Sequence, residues 1–112
     1  MTFSTMKINE IYTAYVAWQN GGKRRPILII ETEENDFSFL KVTSKYKNKS
    51  EKIKSLYYPL QDWKDEGLRK QSYIDTGALL SISRSEVSLN YVGRLTRKDK
   101  SGLTRFIENR DW

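Results

Sequence analysis

The sequence predicts a mainly β protein with a small α content: a partly closed barrel of curved antiparallel strands with a short crossover helix and a C-terminal helix. Two observations support this prediction. Three successive segments rich in aromatic and β-branched residues are joined by short turns, which indicates an antiparallel meander. Near the C-terminus the apolar residues change from the alternating spacing of a strand to the spacing of a helix.

The first two strands are predicted over residues 11–18 and 26–32. The first ends at the turn signal Asn20-Gly21-Gly22. The second contains the unbroken run Ile27-Leu28-Ile29-Ile30, which indicates that both of its faces are covered. A third strand follows, and its residues alternate between two faces: Phe37, Phe39 and Lys41 on one, Leu40 and Val42 on the other.

The middle of the chain is predicted as a lysine-rich loop, a fourth strand over 53–58 and the crossover helix. Pro59 suits the first turn of that helix, and Gly67 suits its C-terminal end. Further segments with strand character follow at 71–76 and 79–82, with a short strand or turn at 85–89.

The last segment, residues 97–109, is predicted as a helix. Thr96 and Asp99 form a capping pair at its start, whereas Gly102 is an unfavourable residue inside it. The apolar residues at helical spacing are Leu103, Phe106 and Ile107.

Length and composition limit the classes of function. The chain is predicted to form one domain over 1–112, and no apolar run is long enough to span a membrane, so a cytoplasmic protein is expected. The sequence has no cysteine and no histidine. It therefore offers no disulfide, no thiolate or imidazole metal ligand and no imidazole general base.

The net charge of +6 comes from clustered basic residues. Six lysines and one acid lie between Lys41 and Lys54, and a second basic cluster lies between Arg94 and Arg105. Such clusters attract a phosphate backbone. The alternative is a solvated loop with tyrosines that face the core. Tyrosine rings near these clusters can stack on unpaired bases, and the candidates are Tyr46, Tyr57, Tyr58 and Tyr73.

One arginine stands at a constrained position. Arg25 precedes Pro26, which disfavours the helical region for Arg25 and places it extended at the start of the second strand. Gly21 and Gly22 upstream permit a close approach of the backbone. Since a guanidinium binds phosphate oxygens in a bidentate manner, Arg25 is a candidate anion-binding residue.

Four segments, in order along the chain, resemble the MazF/PemK toxins. They are Lys23–Ile30, Val42–Lys45, Asp62-Trp63 with Gly67–Asp75, and Tyr91–Thr96. The resemblance implies an SH3-like barrel of the CcdB and MazF type that forms a homodimer. It also implies the toxin of a type II toxin–antitoxin system, a ribosome-independent endoribonuclease of single-stranded RNA, usually mRNA, that a cognate antitoxin inhibits.

The resemblance extends to the chemistry and to named residues. It implies attack of a 2′-hydroxyl on the neighbouring phosphate without a metal or cofactor, which leaves a 2′,3′-cyclic phosphate and a 5′-hydroxyl. The family's Arg before Pro and its Thr at the end of the following strand match Arg25 and Thr43. Arg25 would stabilise the transition state and protonate the leaving oxygen, and Thr43 would hold the phosphate.

Asp75 is the candidate for the general base that the resemblance leaves open. The match is incomplete, because Tyr73 stands where some relatives carry an arginine. Asp75 is equally suited to cap a turn before Gly77.

The remaining site predictions concern RNA binding, with ordinary solvated residues as the alternative. Arg69 and Lys70 supply positive charge near Asp75, and Ser44 is a second hydroxyl donor. The predicted substrate-binding residues are Arg24, Ser44, Lys45, Lys47, Arg69, Lys70 and Tyr73, with Lys49 and Lys52 as further candidates in the lysine loop.

Two other functions fit the same fold. One is a non-catalytic module that poisons DNA gyrase by protein contact, as in the related CcdB architecture. The other is a basic barrel that binds RNA without cleaving it. Only the nuclease needs Arg25 and Thr43 together, so this pair of residues separates the hypotheses.

Overall fold

The computed structural model describes residues 6–15 and 23–110, in which six strands form one antiparallel sheet accompanied by two α-helices. In chain order these elements are β1 (Glu10–Tyr15), β2 (Arg25–Thr32), β3 (Asp36–Thr43), α1 (Glu51–Lys54), β4 (Tyr57–Pro59), β5 (Tyr73–Ser83), β6 (Ser88–Arg94) and α2 (Arg97–Glu108). The strands lie in the order β4-β5-β3-β2-β1-β6, so β4 and β6 are the two edges and the sheet is not closed. The predicted fold class, mainly β with a small α content, is confirmed.

The first three strands form the predicted antiparallel meander. β1 pairs with β2, and β2 pairs with β3, each in antiparallel register. β1 ends at Tyr15 among the described residues, and the rest of the predicted first strand lies outside them, together with the Asn20-Gly21-Gly22 turn. In the described ranges no helix has the length and apolar character needed to cross a membrane.

The apolar run of β2 is buried from both sides, as predicted. Leu28 is fully buried in one apolar cluster, whereas Ile27 and Ile29 are buried in another. Burying each such side chain stabilises the fold by about 1.5–3 kcal/mol. β3 alternates in the predicted way, with Phe37 and Phe39 in the cluster of Ile27 and with Leu40 and Val42 in the cluster of Leu28.

The crossover helix predicted from Pro59 to Gly67 is wrong. Pro59 ends strand β4, and turns follow it; the short helix α1 lies earlier, where Ser50 caps it by accepting the N–H of Ile53. The predicted strand over 53–58 therefore begins only at Tyr57. The physical reason is remote in sequence, because pairing with the next strand keeps this segment extended: Pro59 stands opposite Tyr73 of β5, and the N–H of Leu60 donates to the carbonyl oxygen of Ser72.

Strand β5 continues through Gly77 as one element, so the two predicted segments at 71–76 and 79–82 are a single strand. The prediction of a short strand or turn at 85–89 covers a 3₁₀ turn at Arg84–Glu86 and the start of β6. The greater part of β6 carries no strong apolar alternation and was not predicted.

The C-terminal helix α2 is confirmed, with its capping pair. Thr96 Oγ1 accepts the N–H of Asp99 at 3.3 Å, and Leu103 is buried in the core. Packing explains the glycine at position 102 inside the helix, since a Cβ there would collide with the Tyr58 ring and its hydroxyl oxygen. The helix therefore approaches the sheet more closely than a larger residue would permit.

A buried carboxyl pair joins α2 to the turn after β4. Asp99 is fully buried and accepts the Tyr58 hydroxyl at 2.8 Å and the N–H groups of Gln61 and Asp62, each at 2.9 Å. Burial alone would raise the pKa of Asp99, but hydrogen bonds from Glu66, from these two N–H groups and from Tyr58 lower it. Asp99 is therefore the ionised member of the pair.

Glu66 is the protonated member. Its side chain is fully buried, and its Oε2 accepts the N–H of Thr96 at 2.9 Å. Among the described residues its Oε1 meets no donor, so ionisation would leave a buried charge poorly solvated. Burial, followed by the hydrogen bond to Asp99, raises the pKa of Glu66 to about 8.

Glu66→Gln is expected to remove a pH dependence from the stability of the protein. The folded pKa near 8 exceeds the usual 4.5, so folding takes up a proton and the free energy of unfolding falls as pH rises between these values. Glutamine reproduces the protonated carboxyl, accepting from Thr96 and donating to Asp99. In urea denaturation, the stability of the variant relative to the natural chain should grow over this pH window and then stay constant.

The matched control for this prediction is Glu108→Gln, at the exposed end of α2. It removes the same charge without touching the buried pair. Parallel pH curves for the natural chain and Glu66→Gln would contradict the proposed protonation of Glu66.

Candidate active site

The register of the sheet brings the three predicted catalytic residues to one face. In the pairing of β2 with β3, Ile27 stands opposite Lys41. Arg25 precedes Ile27 by two residues and Thr43 follows Lys41 by two, so the antiparallel register places them at the same end of the two strands. β3 and β5 pair Lys41 with Asp75. Because opposed residues and residues two apart project from the same face, Arg25, Thr43 and Asp75 share that face across three adjacent strands.

These residues line one open groove of about 760 Å³. Arg25, Thr43 and Asp75 all contribute to its wall. Six basic side chains line it against one acid, Asp75, which makes it electropositive. Four predicted substrate-binding residues also belong to this lining: Ser44, Lys45, Arg69 and Lys70.

Arg25 and Thr43 are arranged to bind an anion. The Arg25 guanidinium is exposed, and it makes no hydrogen bond or ion pair with any residue within 6–15 or 23–110. Thr43 Oγ1 accepts the N–H of Lys45 at 3.1 Å, which leaves the hydroxyl proton available to a ligand. Two neighbouring sources of donors therefore face the groove.

The position of Asp75 is compatible with both roles that the sequence left open, a turn cap and a groove carboxylate. Its Oδ1 accepts the N–H of Gly77 at 2.8 Å, which is the predicted turn cap, placed here within the long strand β5. The same carboxylate lines the groove, opposite Tyr57 of β4. Burial, and next the negative charge of Asp75, raise the pKa of Tyr57.

Other predicted site residues have different surroundings. Arg24 donates to the carbonyl oxygen of Ser88 at 3.0 Å and to its hydroxyl at 2.7 Å, and so ties β6 to the start of β2. Tyr73 is stacked on another tyrosine. Lys47 and Lys52 are exposed side chains of the lysine loop and α1 that do not line the groove, whereas Lys49 does line it.

Some lining residues were not predicted as site residues. Lys41 was placed only as the continuation of the Phe37 and Phe39 face, yet a charge that interrupts an apolar face is itself a signal of a polar site. Ser72 also lines the groove and carried no local signal. Tyr57 was predicted only as a residue that can stack on bases, and the pairing of β4 with β5 brings it to the groove.

Metal ligands are not grouped in the described part of the chain. Within residues 6–15 and 23–110, no set of three His, Cys, Asp or Glu side chains is positioned to hold a metal ion.

Comparison with family models and with curated protein sequences finds no match. Solved structures are similar. The Mycobacterium tuberculosis toxin MazF-mt6 has 19% identity and a TM-score of 0.66, with 92% of this chain and 99% of that chain covered. A mycobacterial endoribonuclease in complex with its cognate antitoxin has 12% identity and a TM-score of 0.68, with 96% and 99% covered. An Mtb toxin has 18% identity and a TM-score of 0.59, with 76% and 90% covered. The chain therefore has the MazF/PemK-like fold that its sequence motifs predict.

Proposed function

We propose that this chain is an endoribonuclease toxin that cleaves single-stranded RNA, in particular mRNA, at selected sequences without a metal. The observation that carries the proposal is the groove in which Arg25, Thr43 and Asp75 share one face among lysines and arginines. The similarity of the fold to solved endoribonuclease toxins supports it. A binding module alone would not require these three side chains together.

Arg25 and Thr43 would bind the phosphate that is cleaved. In the transition state the phosphorus carries an additional oxygen and more negative charge, so donors fixed before the reaction stabilise it more than they stabilise the substrate. The exposed guanidinium of Arg25 offers a bidentate pair of N–H groups, and the Thr43 hydroxyl offers one more donor. Ser44 stands next to Thr43 in the same lining.

Asp75 would transfer the proton. Its carboxylate removes the proton from the 2′-hydroxyl while the 2′-oxygen forms a bond to phosphorus and the bond from phosphorus to the 5′-oxygen breaks. The 5′-oxygen takes up a proton from the Arg25 guanidinium or from a water bound to it. The proton on Asp75 then returns through solvent to the donor that protonated the 5′-oxygen, which restores both side chains. The products are a 2′,3′-cyclic phosphate and a 5′-hydroxyl.

The partners follow from the charge of the groove. Its six basic side chains would hold the RNA backbone, and base selection would depend on the shape and edge contacts of the walls. We also propose that the chain acts in the cytoplasm as a homodimer and that a cognate antitoxin, an acidic or partly disordered segment, covers the groove. One similar structure is an endoribonuclease with its antitoxin.

Incubation of the purified chain with mixed-sequence single-stranded RNA in EDTA tests the reaction. Cleavage at a restricted set of sites, with cyclic phosphate and 5′-hydroxyl ends, is the expected result. Bound but intact RNA would favour the non-catalytic RNA-binding module, and inhibition of gyrase without cleavage would favour the gyrase poison.

Arg25→Ala should lower kcat about 100- to 1000-fold, as removal of a fixed transition-state donor does. Arg25→Lys should restore little of this, because an ammonium cannot reproduce the bidentate geometry. Initial rates on a fluorescent RNA measure both. Arg97→Lys is the matched control, since Arg97 is exposed at the start of α2 and lies outside the groove lining. Full activity of Arg25→Lys would be incompatible with the proposed phosphate geometry.

Asp75→Asn should lower kcat about 100- to 10000-fold, the usual contribution of a general base. The amide oxygen of asparagine can still accept the N–H of Gly77, so the strand should keep its local structure and its thermal stability. KM should stay unchanged or fall, because a negative charge leaves a basic groove. Asp65→Asn, an exposed carboxylate outside the lining, is the control. An unchanged kcat in Asp75→Asn would show that Asp75 is not the general base.

A further inference from the structure

Three tyrosines from separate segments meet beside the groove. They are Tyr46 in the loop after β3, Tyr57 of β4 and Tyr73 of β5, here called the tyrosine cluster. The rings of Tyr46 and Tyr73 are stacked, with centroids 4.2 Å apart and planes at 5°. The Tyr57 ring lies 6.3 Å from Tyr46 and 6.4 Å from Tyr73 and is tilted to both.

The sheet register places this cluster next to the candidate phosphate site. Tyr73 is paired with Thr43, and Tyr57 is paired with Asp75 and lines the groove. Arg25, Thr43 and Tyr73 therefore lie on three adjacent strands, and two strand spacings separate the first from the last, roughly 10 Å. A nucleotide whose phosphate lies at Arg25 and Thr43 can place a base at that distance.

Two of the three rings of the cluster lie at the surface. Tyr57 is buried, but Tyr46 and Tyr73 are only half-buried. Tyr58, which is outside the cluster, is buried and donates to Asp99.

Two lysines of the loop that contains Tyr46, Lys45 and Lys49, line the groove. Lys54 Nζ lies over the Tyr46 ring, 5.0 Å from its centroid. Because Tyr73 covers one face of Tyr46, Lys54 stands over the outer face, with the other cations in the groove wall.

We propose that the tyrosine cluster is a base-binding subsite, in which an unpaired base of single-stranded RNA takes the place of the Lys54 ammonium over the outer face of Tyr46, with Tyr73 stacked behind that ring, while Lys45 and Lys49 contact the flanking phosphates. Every base has a π face, so this contact contributes affinity with little sequence preference. The inference deepens the proposed function and rests on it, because it assumes that RNA occupies the groove.

The test measures binding without cleavage. A short 2′-O-methyl oligoadenylate cannot be cut, and an abasic oligomer of equal length keeps its phosphates but has no base to stack. Fluorescence anisotropy with Tyr46→Leu should show a Kd for the oligoadenylate raised about 5- to 100-fold, and Tyr46→Phe should bind as the natural chain does. On the abasic oligomer, Tyr46→Leu and the natural chain should bind equally.

Tyr91→Leu is the matched control. Tyr91 is 57% exposed on β6 and does not line the groove, so its loss should change neither Kd. Circular dichroism and thermal unfolding establish that Tyr46→Leu folds. Equal losses on both oligomers, or no loss on either, would overturn the stacking subsite.

The two proposals fail in different ways. If the natural chain cleaves RNA and Tyr46→Leu binds the oligoadenylate normally, the subsite is wrong and the nuclease remains. If the natural chain binds the oligoadenylate through Tyr46 but cleaves no RNA, the subsite remains and the nuclease is wrong. If it binds no oligomer and cleaves no RNA, both are wrong.

Discussion

The register of β3 against its two neighbours is the constraint on which the candidate site depends. Lys41 of β3 stands opposite Ile27 on one side and Asp75 on the other. A slip of one residue would move the groove residues of β3 into the apolar cluster that now holds Leu40 and Val42. Burial of an unpaired lysine there would cost several kcal/mol, so the apolar face of β3 fixes the position of its polar face.

A second constraint lies on the other side of the core, at the Asp99 carboxylate. Asp99 holds the N–H groups of Gln61 and Asp62 and the hydroxyl of Tyr58, so α2 is fastened to the turn that follows β4. That turn leads through the left-handed Gly67 to Arg69 and Lys70 in the groove wall. Hydrogen bonds to a charged group contribute about 1.5–3 kcal/mol each, so a side chain distant from the groove helps to position its basic wall.

Local signals in the sequence were sufficient for some elements and not for others. The start of β2, the alternation of β3 and the cap of α2 depend on residues within a few positions of one another, and each was predicted. The prediction of a crossover helix failed because pairing with β5, a separate segment of the chain, keeps Pro59 and Leu60 extended. The same pairing brings Tyr57 to the groove wall, and no local pattern in either segment encodes it. The pairing of Arg25 with Thr43 came from a family resemblance, and no local pattern implied it.

Capture of RNA and cleavage of RNA would depend on different properties of this groove. Lysine charges act over the Debye length, about 8 Å at physiological ionic strength, and tolerate flexible side chains. Stabilisation of a transition state requires donors held within a fraction of an ångström. Arg25 is the first residue of β2, paired with Ala14 of β1, and Thr43 is oriented by the N–H of Lys45, so both meet that requirement better than a loop lysine would. In the proposed reaction, added salt would therefore weaken the encounter with RNA, whereas the chemical step would respond to the geometry of Arg25, Thr43 and Asp75. The proposed reaction would need no histidine, since the groove supplies fixed positive charge and a carboxylate in place of an imidazole.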